Sequence, residues 1–191
     1  MKILHWETLS FRSSSILKLF KHHLPTGGEI EEHRHDFHEI FWILSGEAEH
    51  EVNGERSRLR HGDLVWIRPH DRHRVTGASR QPLQFYNLAF PAEIIGELTA
   101  RYEEFRYYFG SDNRQPIMIP LSESLFEWLD RGAAGLRNNP ESRLALDRFL
   151  MNLVGERSTM LANPYRRCPA WLQEAAAELE RQPEHLKLGS R

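Results

Sequence analysis

The sequence predicts a mainly β fold with α: a barrel of short strands followed by a helical segment. Three observations predict it. Up to about Phe90 the chain reads as short strand-like runs broken by turn residues, and from Pro91 onward the apolar residues recur at three- and four-residue spacing. The length of 191 residues is enough for one well-buried domain with a helical appendage and short for two full domains.

The strand-like runs are SILKLFKHHLP (15–25), FHEIFWILS (37–45), EAEHEV (47–52), RSRL (56–59), DLVWIR (63–68) and LQFYNLAF (83–90). Asn53-Gly54 lies between two of them and can take the positive φ angles of a tight hairpin, while Gly46 and Gly62 mark further corners. Turns this closely spaced favour a barrel or a sandwich. The run Ile40-Phe41-Trp42-Ile43-Leu44 is apolar on both faces, which requires an outer cover from a helix or another subunit. The helical half divides into PAEIIGELTARYEEF, SESLFEWLDRGAAGL and PESRLALDRFLMNLVGERSTML. Ser122 is a candidate N-cap, and Asn139-Pro140-Glu141 offers a cap, a first-turn proline and a first-turn acid. Leu146, Leu150, Leu153 and Val154 form one stripe, which either packs on the chain's own barrel or forms a dimer seam. A break is expected around Asn163-Pro164-Tyr165, and CPAWLQEAAAELERQ reads as a last helix with Pro169 in its first turn.

Composition excludes several functions. A formal net charge of -2 leaves no dominant basic face, so nucleic-acid contact is not expected from these residues. Cys168 is the single cysteine, which rules out an intramolecular disulfide and a CxxC pair and suits a reducing cytoplasm. The first twenty residues contain no apolar run of signal-peptide or membrane-spanning length, so the expectation is a cytoplasmic protein with no membrane contact.

The chemistry concentrates in one pattern, Gly27-x5-His33-x-His35-x3-Glu39-x6-Gly46, followed by Gly62 and His73. On an extended strand His33, His35 and Glu39 share a face with Phe37 and Phe41, because side chains alternate with period two. That face looks into the barrel. Three imidazoles and a carboxylate suit a divalent first-row metal (Zn, Fe, Mn, Ni or Cu) with one or two positions left open for a guest. The competing reading is that the histidines only hydrogen-bond inside the barrel. By alternation His38 points away from this face, while His61 at a turn and His70 in a loop read as solvated. Arg34, Arg68, Arg72 and Arg74 cluster in the same region, and guanidinium forks suit phosphate or carboxylate. Trp42, Trp66 and Phe41 offer flat faces to a sugar, or simply pack the core. The candidate guest contacts are Phe37, Phe41, Trp66, Arg68 and Arg72.

GGEIEEHRHDFHEIFWILSGE resembles the first conserved cupin motif and GDLVWIRPHDRHRV the second. The resemblance implies a double-stranded β-helix (jelly-roll) barrel whose metal ligands are His33, His35, Glu39 and His73. The second motif departs from the pattern: proline falls one place late at Pro69, Asp71 stands near the usual glycine, and no asparagine follows His73. HRHDFHEIFWILSGE, GDLVWIRPHDRHRV and the exit strand QFYNLAF together resemble AraC-type transcription regulators, particularly those sensing β-linked disaccharides such as chitobiose or cellobiose. The similarity is strong over residues ~27–90. CPAWLQEAAAELERQPEHLKLG resembles that family's linker and the first helix leading to its DNA-binding domain. Two helix-turn-helix units need roughly a hundred residues, more than follow Cys168.

This resemblance implies a sensing barrel over 1–91, a helical dimerisation and linker segment over 92–163, and over 164–191 the start of a linker to a DNA-binding domain absent from this sequence. The expected partners are a small-molecule effector, with a sugar favoured, and a second copy of the chain. DNA would be contacted only through the absent domain. No catalytic residue is assigned. The residues alone also permit a metal-dependent cupin dioxygenase or isomerase, and the linker-like tail favours the sensor over that alternative.

Overall fold

The computed structural model describes residues 2–10, 14–78, 80–109 and 116–162, with residues 10 and 156–162 as backbone only. Its elements are β1 (Lys2–Leu4), α1 (Trp6–Ser10), β2 (Lys18–Leu24), β3 (Glu29–His35), β4 (His38–Ser45), β5 (Glu47–Val52), β6 (Glu55–Arg60), β7 (Asp63–Ile67), β8 (His73–Gly77) and β9 (Leu83–Phe90). They continue with α2 (Ala92–Arg101), α3 (Glu103–Phe109), β10 (Met118–Pro120), α4 (Glu123–Asn138) and α5 (Arg143–Ala162). Two five-stranded sheets form, ordered β1-β3-β8-β5-β6 and β10-β7-β4-β9-β2. This is the double-stranded β-helix of a cupin barrel, followed by a helical segment.

Alternation sets what each strand buries. In β4, Phe41 and Ile43 join the interior cluster with Val65, Ile67, Val75 and Phe85. Their neighbours Ile40 and Trp42 are equally inaccessible but belong to the opposite face. The helical half supplies cover there: Trp66, paired with Ile40, stacks on Phe109 of α3 at 4.5 Å between centroids and meets Tyr108 at 4.6 Å. The apolar-both-faces run is therefore covered by the chain's own helix. At the β5–β6 turn Asn53 and Gly54 have φ of 49° and 86°, and Val52 pairs with Glu55 across them.

Several boundaries differ from the sequence expectation. His33, His35 and Glu39 do not share one strand: the chain bends at Asp36–Phe37, with β3 in one sheet and β4 in the other. The helix expected over 91–105 is two, because Tyr102 is extended (φ -131°, ψ 116°). Ser122 caps α4 as expected, its hydroxyl accepting from the Leu125 N–H. Asn139 does not start α5. It terminates α4, donating from Nδ2 to the Gly135 carbonyl, and Ser142 caps α5 by accepting from the Ala145 N–H.

Residues 1–150 form one compact unit and 151–191 a second. Leu146 and Leu150 of the α5 stripe are fully buried in the first, and Leu153 and Val154 are inaccessible in the second. The expected last helix beyond Pro164 lies outside the described residues.

Candidate metal and guest site

The bend at Asp36–Phe37 is what builds the site. It lets β3 bring histidines from one wall and β4 a glutamate from the other. His35 Nε2 stands 3.6 Å from Glu39 Oε2. β8 lies beside β3 with His33 opposite His73, their rings 4.3 Å apart between centroids, and His73 meets the His35 ring edge-on at 5.4 Å. One ligand atom each from His35, Glu39 and His73 falls within 4.8 Å of the others, all three residues being buried. His33 stands just outside that group, its ring 6.1 Å from that of His35.

Backbone contacts fix two of the tautomers. His33 Nδ1–H donates to the Glu31 carbonyl at 2.9 Å and His35 Nδ1–H to the Phe37 carbonyl at 2.7 Å. A carbonyl can only accept, so each ring keeps its Nε2 lone pair free. Among the described residues, His35 Nε2, both ring nitrogens of His73 and His50 Nε2 are buried without a hydrogen-bond partner. Burying such groups unpaired is costly, and a divalent cation satisfies imidazole lone pairs directly. The donor set fits a first-row metal ion.

Electrostatics agree with a neutral, ligand-ready cluster. Burial pushes the His35 pKa down to about 4 against the opposing backbone bond to Phe37. His73 is pushed well below the ordinary value by burial, then by His33, His35 and His50. Burial raises the Glu39 carboxyl to about 7, partly offset by a hydrogen bond from Asn87. Neutral imidazole is the form that binds metal.

The cluster opens into a cavity of about 400 Å³ within the barrel, a size suited to small-molecule guests. Phe20, Phe37, Phe41 and Phe85 supply aromatic wall, and His22, His33, Glu39, His73 and Asn87 supply polar groups. Leu4 of β1 and Leu9 of α1 also line it. That N-terminal segment is fastened next to the bend: His5 Nδ1–H donates to Asp36 Oδ2 at 2.7 Å and the Trp6 N–H to Asp36 Oδ1 at 2.8 Å.

Of the five expected guest contacts, Phe37 and Phe41 line the cavity and the other three do not. Trp66 alternates with the inward Val65 and Ile67 and so faces α3. Arg68 is buried against Asp71, with Nε to Oδ2 at 3.0 Å and Nη2 to Oδ1 at 3.1 Å. Arg72 is exposed beside Asn53, whose Oδ1 accepts its backbone N–H. His38 is not solvated: it is buried and stacks on Phe90 at 5.8 Å, with Phe109 edge-on at 5.2 Å. Exposed His61 and His70 match expectation.

Sequence reasoning passed over His22, His50 and Asn87. His50 is 1% exposed, edge-on to Phe41 at 5.4 Å and to His73 at 5.9 Å. The signal was present in EAEHEV, where Ala48, His50 and Val52 form the inward row.

Barrel and site together define a cupin domain with an internal cavity beside a His/Glu cluster. The chain belongs to the family described as the AraC-like ligand binding domain, which matches residues 25–154 and thus extends well past the barrel. RhaS of Klebsiella pneumoniae (strain 342), an HTH-type transcriptional activator, is 37% identical over 73 residues, covering 38% of this chain and 26% of that protein. The match thus spans about a quarter of this curated relative. ToxT of Vibrio cholerae O395 is similar in structure at a TM-score of 0.54 and 14% identity, covering 75% of this chain and 54% of that one, which concerns the fold alone. A cupin protein from Bacteroides fragilis aligns at 31% identity and a TM-score of 0.38 over 40% of this chain and 66% of its own. Among the described residues no helix is long and apolar enough to cross a membrane.

Proposed function

We propose that the chain is the effector-sensing part of an AraC-family transcription regulator and that its barrel binds a small molecule, with a sugar favoured, beside a divalent metal. The observation that carries this is the cavity of about 400 Å³ whose wall includes His33, Glu39 and His73, with His35 completing the buried His35–Glu39–His73 group behind it. Aromatic faces at Phe37, Phe41 and Phe85 suit the C–H faces of a sugar ring, and His22, Glu39 and Asn87 offer hydroxyl partners. His33, His35, Glu39 and His73 would hold the metal, with Zn, Fe, Mn, Ni and Cu all compatible. When bound, such an ion supplies a Lewis-acid point for an oxygen donor on the guest. Residues 1–91 act as the sensing barrel, 92–163 as the dimerisation and linker segment, and 164–191 as the start of a linker toward a DNA-binding domain. DNA contact belongs to that further domain, and two copies pair through the helical half.

The test is metal analysis of the purified protein combined with thermal-shift screening against chitobiose, cellobiose and related sugars. A true guest at a hundred times its Kd stabilises by about 2.7 kcal/mol. Absence of bound metal together with no shift from any sugar would reject the reading. The second reading is a metal-dependent dioxygenase or isomerase, favoured by a buried acid of pKa about 7 beside open imidazole nitrogens. Turnover of a phenolic or keto substrate by the metal-loaded protein would put it first.

A further inference from the structure

Asn87 sits in the inward row of β9, directly across from Phe41 of β4, while Ala89 is across from Glu39. Residues two apart along a paired strand are diagonal neighbours within reach of long side chains, and the small Ala89 leaves room for the Asn87 amide to cross to Glu39. Asn87 acts on the Glu39 carboxyl as a hydrogen-bonding group, drawing its pKa down against the effect of burial. Its Oδ1 is buried with no partner among the described residues, and a carboxylate accepts, so Nδ2 is the donor. Both residues line the cavity. The donor end of this amide is therefore directed to the candidate ligand, while its acceptor end is enclosed.

We propose that Asn87 is the positioning residue of this metal centre, holding the Glu39 carboxylate in place through Nδ2. The proposal rests on the metal reading above. His33 and His35 already have their ring orientation fixed by backbone carbonyls at 2.9 and 2.7 Å. Glu39 comes from the other sheet, and Asn87 is the polar side chain of that sheet that reaches it. Outer partners of this kind set ligand orientation and contribute strongly to metal affinity.

The experiment uses Co(II) as the probe, titrated into the full chain and followed by its visible ligand-field absorption, for wild type, Asn87→Leu, Asn87→Ser and Asn87→Gln. Circular dichroism reports folding. Leu removes the donor at similar size, and Ser removes its reach without adding bulk, so the Ser variant decides if the Leu variant does not fold. Both are expected to bind Co(II) roughly 10–100-fold more weakly, with a changed spectrum. Gln keeps the donor and is expected to recover part of the affinity, which a merely space-filling role would not produce. Wild-type affinity and spectrum in the folded Ser variant would overturn the proposal while leaving the metal site intact, as would a Gln variant no better than Leu. Failure of the wild type itself to bind Co(II) would remove the metal reading and this proposal with it.

Discussion

Asp71 accepts from the Arg68 backbone N–H at 2.9 Å, from the Arg68 guanidinium at 3.0 and 3.1 Å, and from Asn53 Nδ2 at 2.7 Å. Burial alone would raise its pKa, but the bonds from Arg68 and Asn53 outweigh burial and hold it below the ordinary value. These contacts fix the loop that delivers His73. The departure of the second motif from its usual form thus has a reason: an acid at position 71 does by hydrogen bonding what a glycine does by conformational freedom. Replacing Asp71 by Ala takes from the buried Arg68 guanidinium both of its hydrogen bonds to that carboxylate, and the expected loss is about 3–5 kcal/mol in urea unfolding. A loss under about 1 kcal/mol would show that Arg68 simply swings into solvent. The candidate ligands His33, His35, Glu39 and His73 were legible because a motif spaces them. Trp66 and Arg68 were misread as guest contacts because side-chain chemistry was weighed ahead of alternation, which sends Trp66 outward, and because the partner of Arg68 lies three residues on. Asn87 carries no motif and becomes readable only when the register of β4 against β9 puts it near Glu39.

At the scale of elements, α4 offers an internal comparison. A Cβ on Gly132 would come 2.8 Å from Phe149 Cε2, and that ring is already stacked on Trp128 at 5.1 Å. Gly135, one turn on, faces open space. Gly135→Ala is therefore expected to stabilise by about 0.5–1 kcal/mol through helix propensity. Gly132→Ala is expected to lose about 1–3 kcal/mol to overpacking against that gain. Thermal unfolding of the two variants should move in opposite directions. Ser122→Ala, which deprives the Leu125 N–H of its acceptor, should cost about 1 kcal/mol by the same measurement. The strands EAEHEV and LQFYNLAF were legible to the residue, because alternation and flanking turns mark both ends. β1, β3, β8 and β10 were not delimited: β1 and β10 are three residues long, and polar β3 shows little alternation of its own. The switch from α2 to α3 also escaped notice, since it depends on Phe105, Tyr108 and Phe109 finding cover with the barrel's outer face.

For the molecule as a whole, buried histidines dominate the response to acid. His35 and His50 are lowered to about 4 and His38 to about 3, burial being the first cause of each, and His73 lies well below its ordinary value. In the unfolded chain these groups take up protons near 6.5, so from there downward the unfolded state binds more protons and stability falls with pH. Glu39 works in the opposite sense. Its folded pKa of about 7 exceeds 4.5, so its contribution is present below 4.5 and is lost as pH rises toward 7. Four imidazoles outweigh one acid, and unfolding free energy is expected to drop by on the order of 3–5 kcal/mol between pH 6.5 and 4.5. A flat profile over that range in denaturant titrations would mean that the histidines are protonated in the native state. The barrel followed by helices was readable from periodicity alone, whereas the helical cover over Trp66 required coordinates. The kink at Asp36–Phe37 has a last consequence, since consecutive strands of one chain end up in opposing walls. The 3.6 Å between His35 and Glu39 works as a caliper across the two walls. Any substitution that swells the interior, such as enlarging the fully enclosed Ala48, would open the caliper and part the two candidate ligands before the barrel loses its shape.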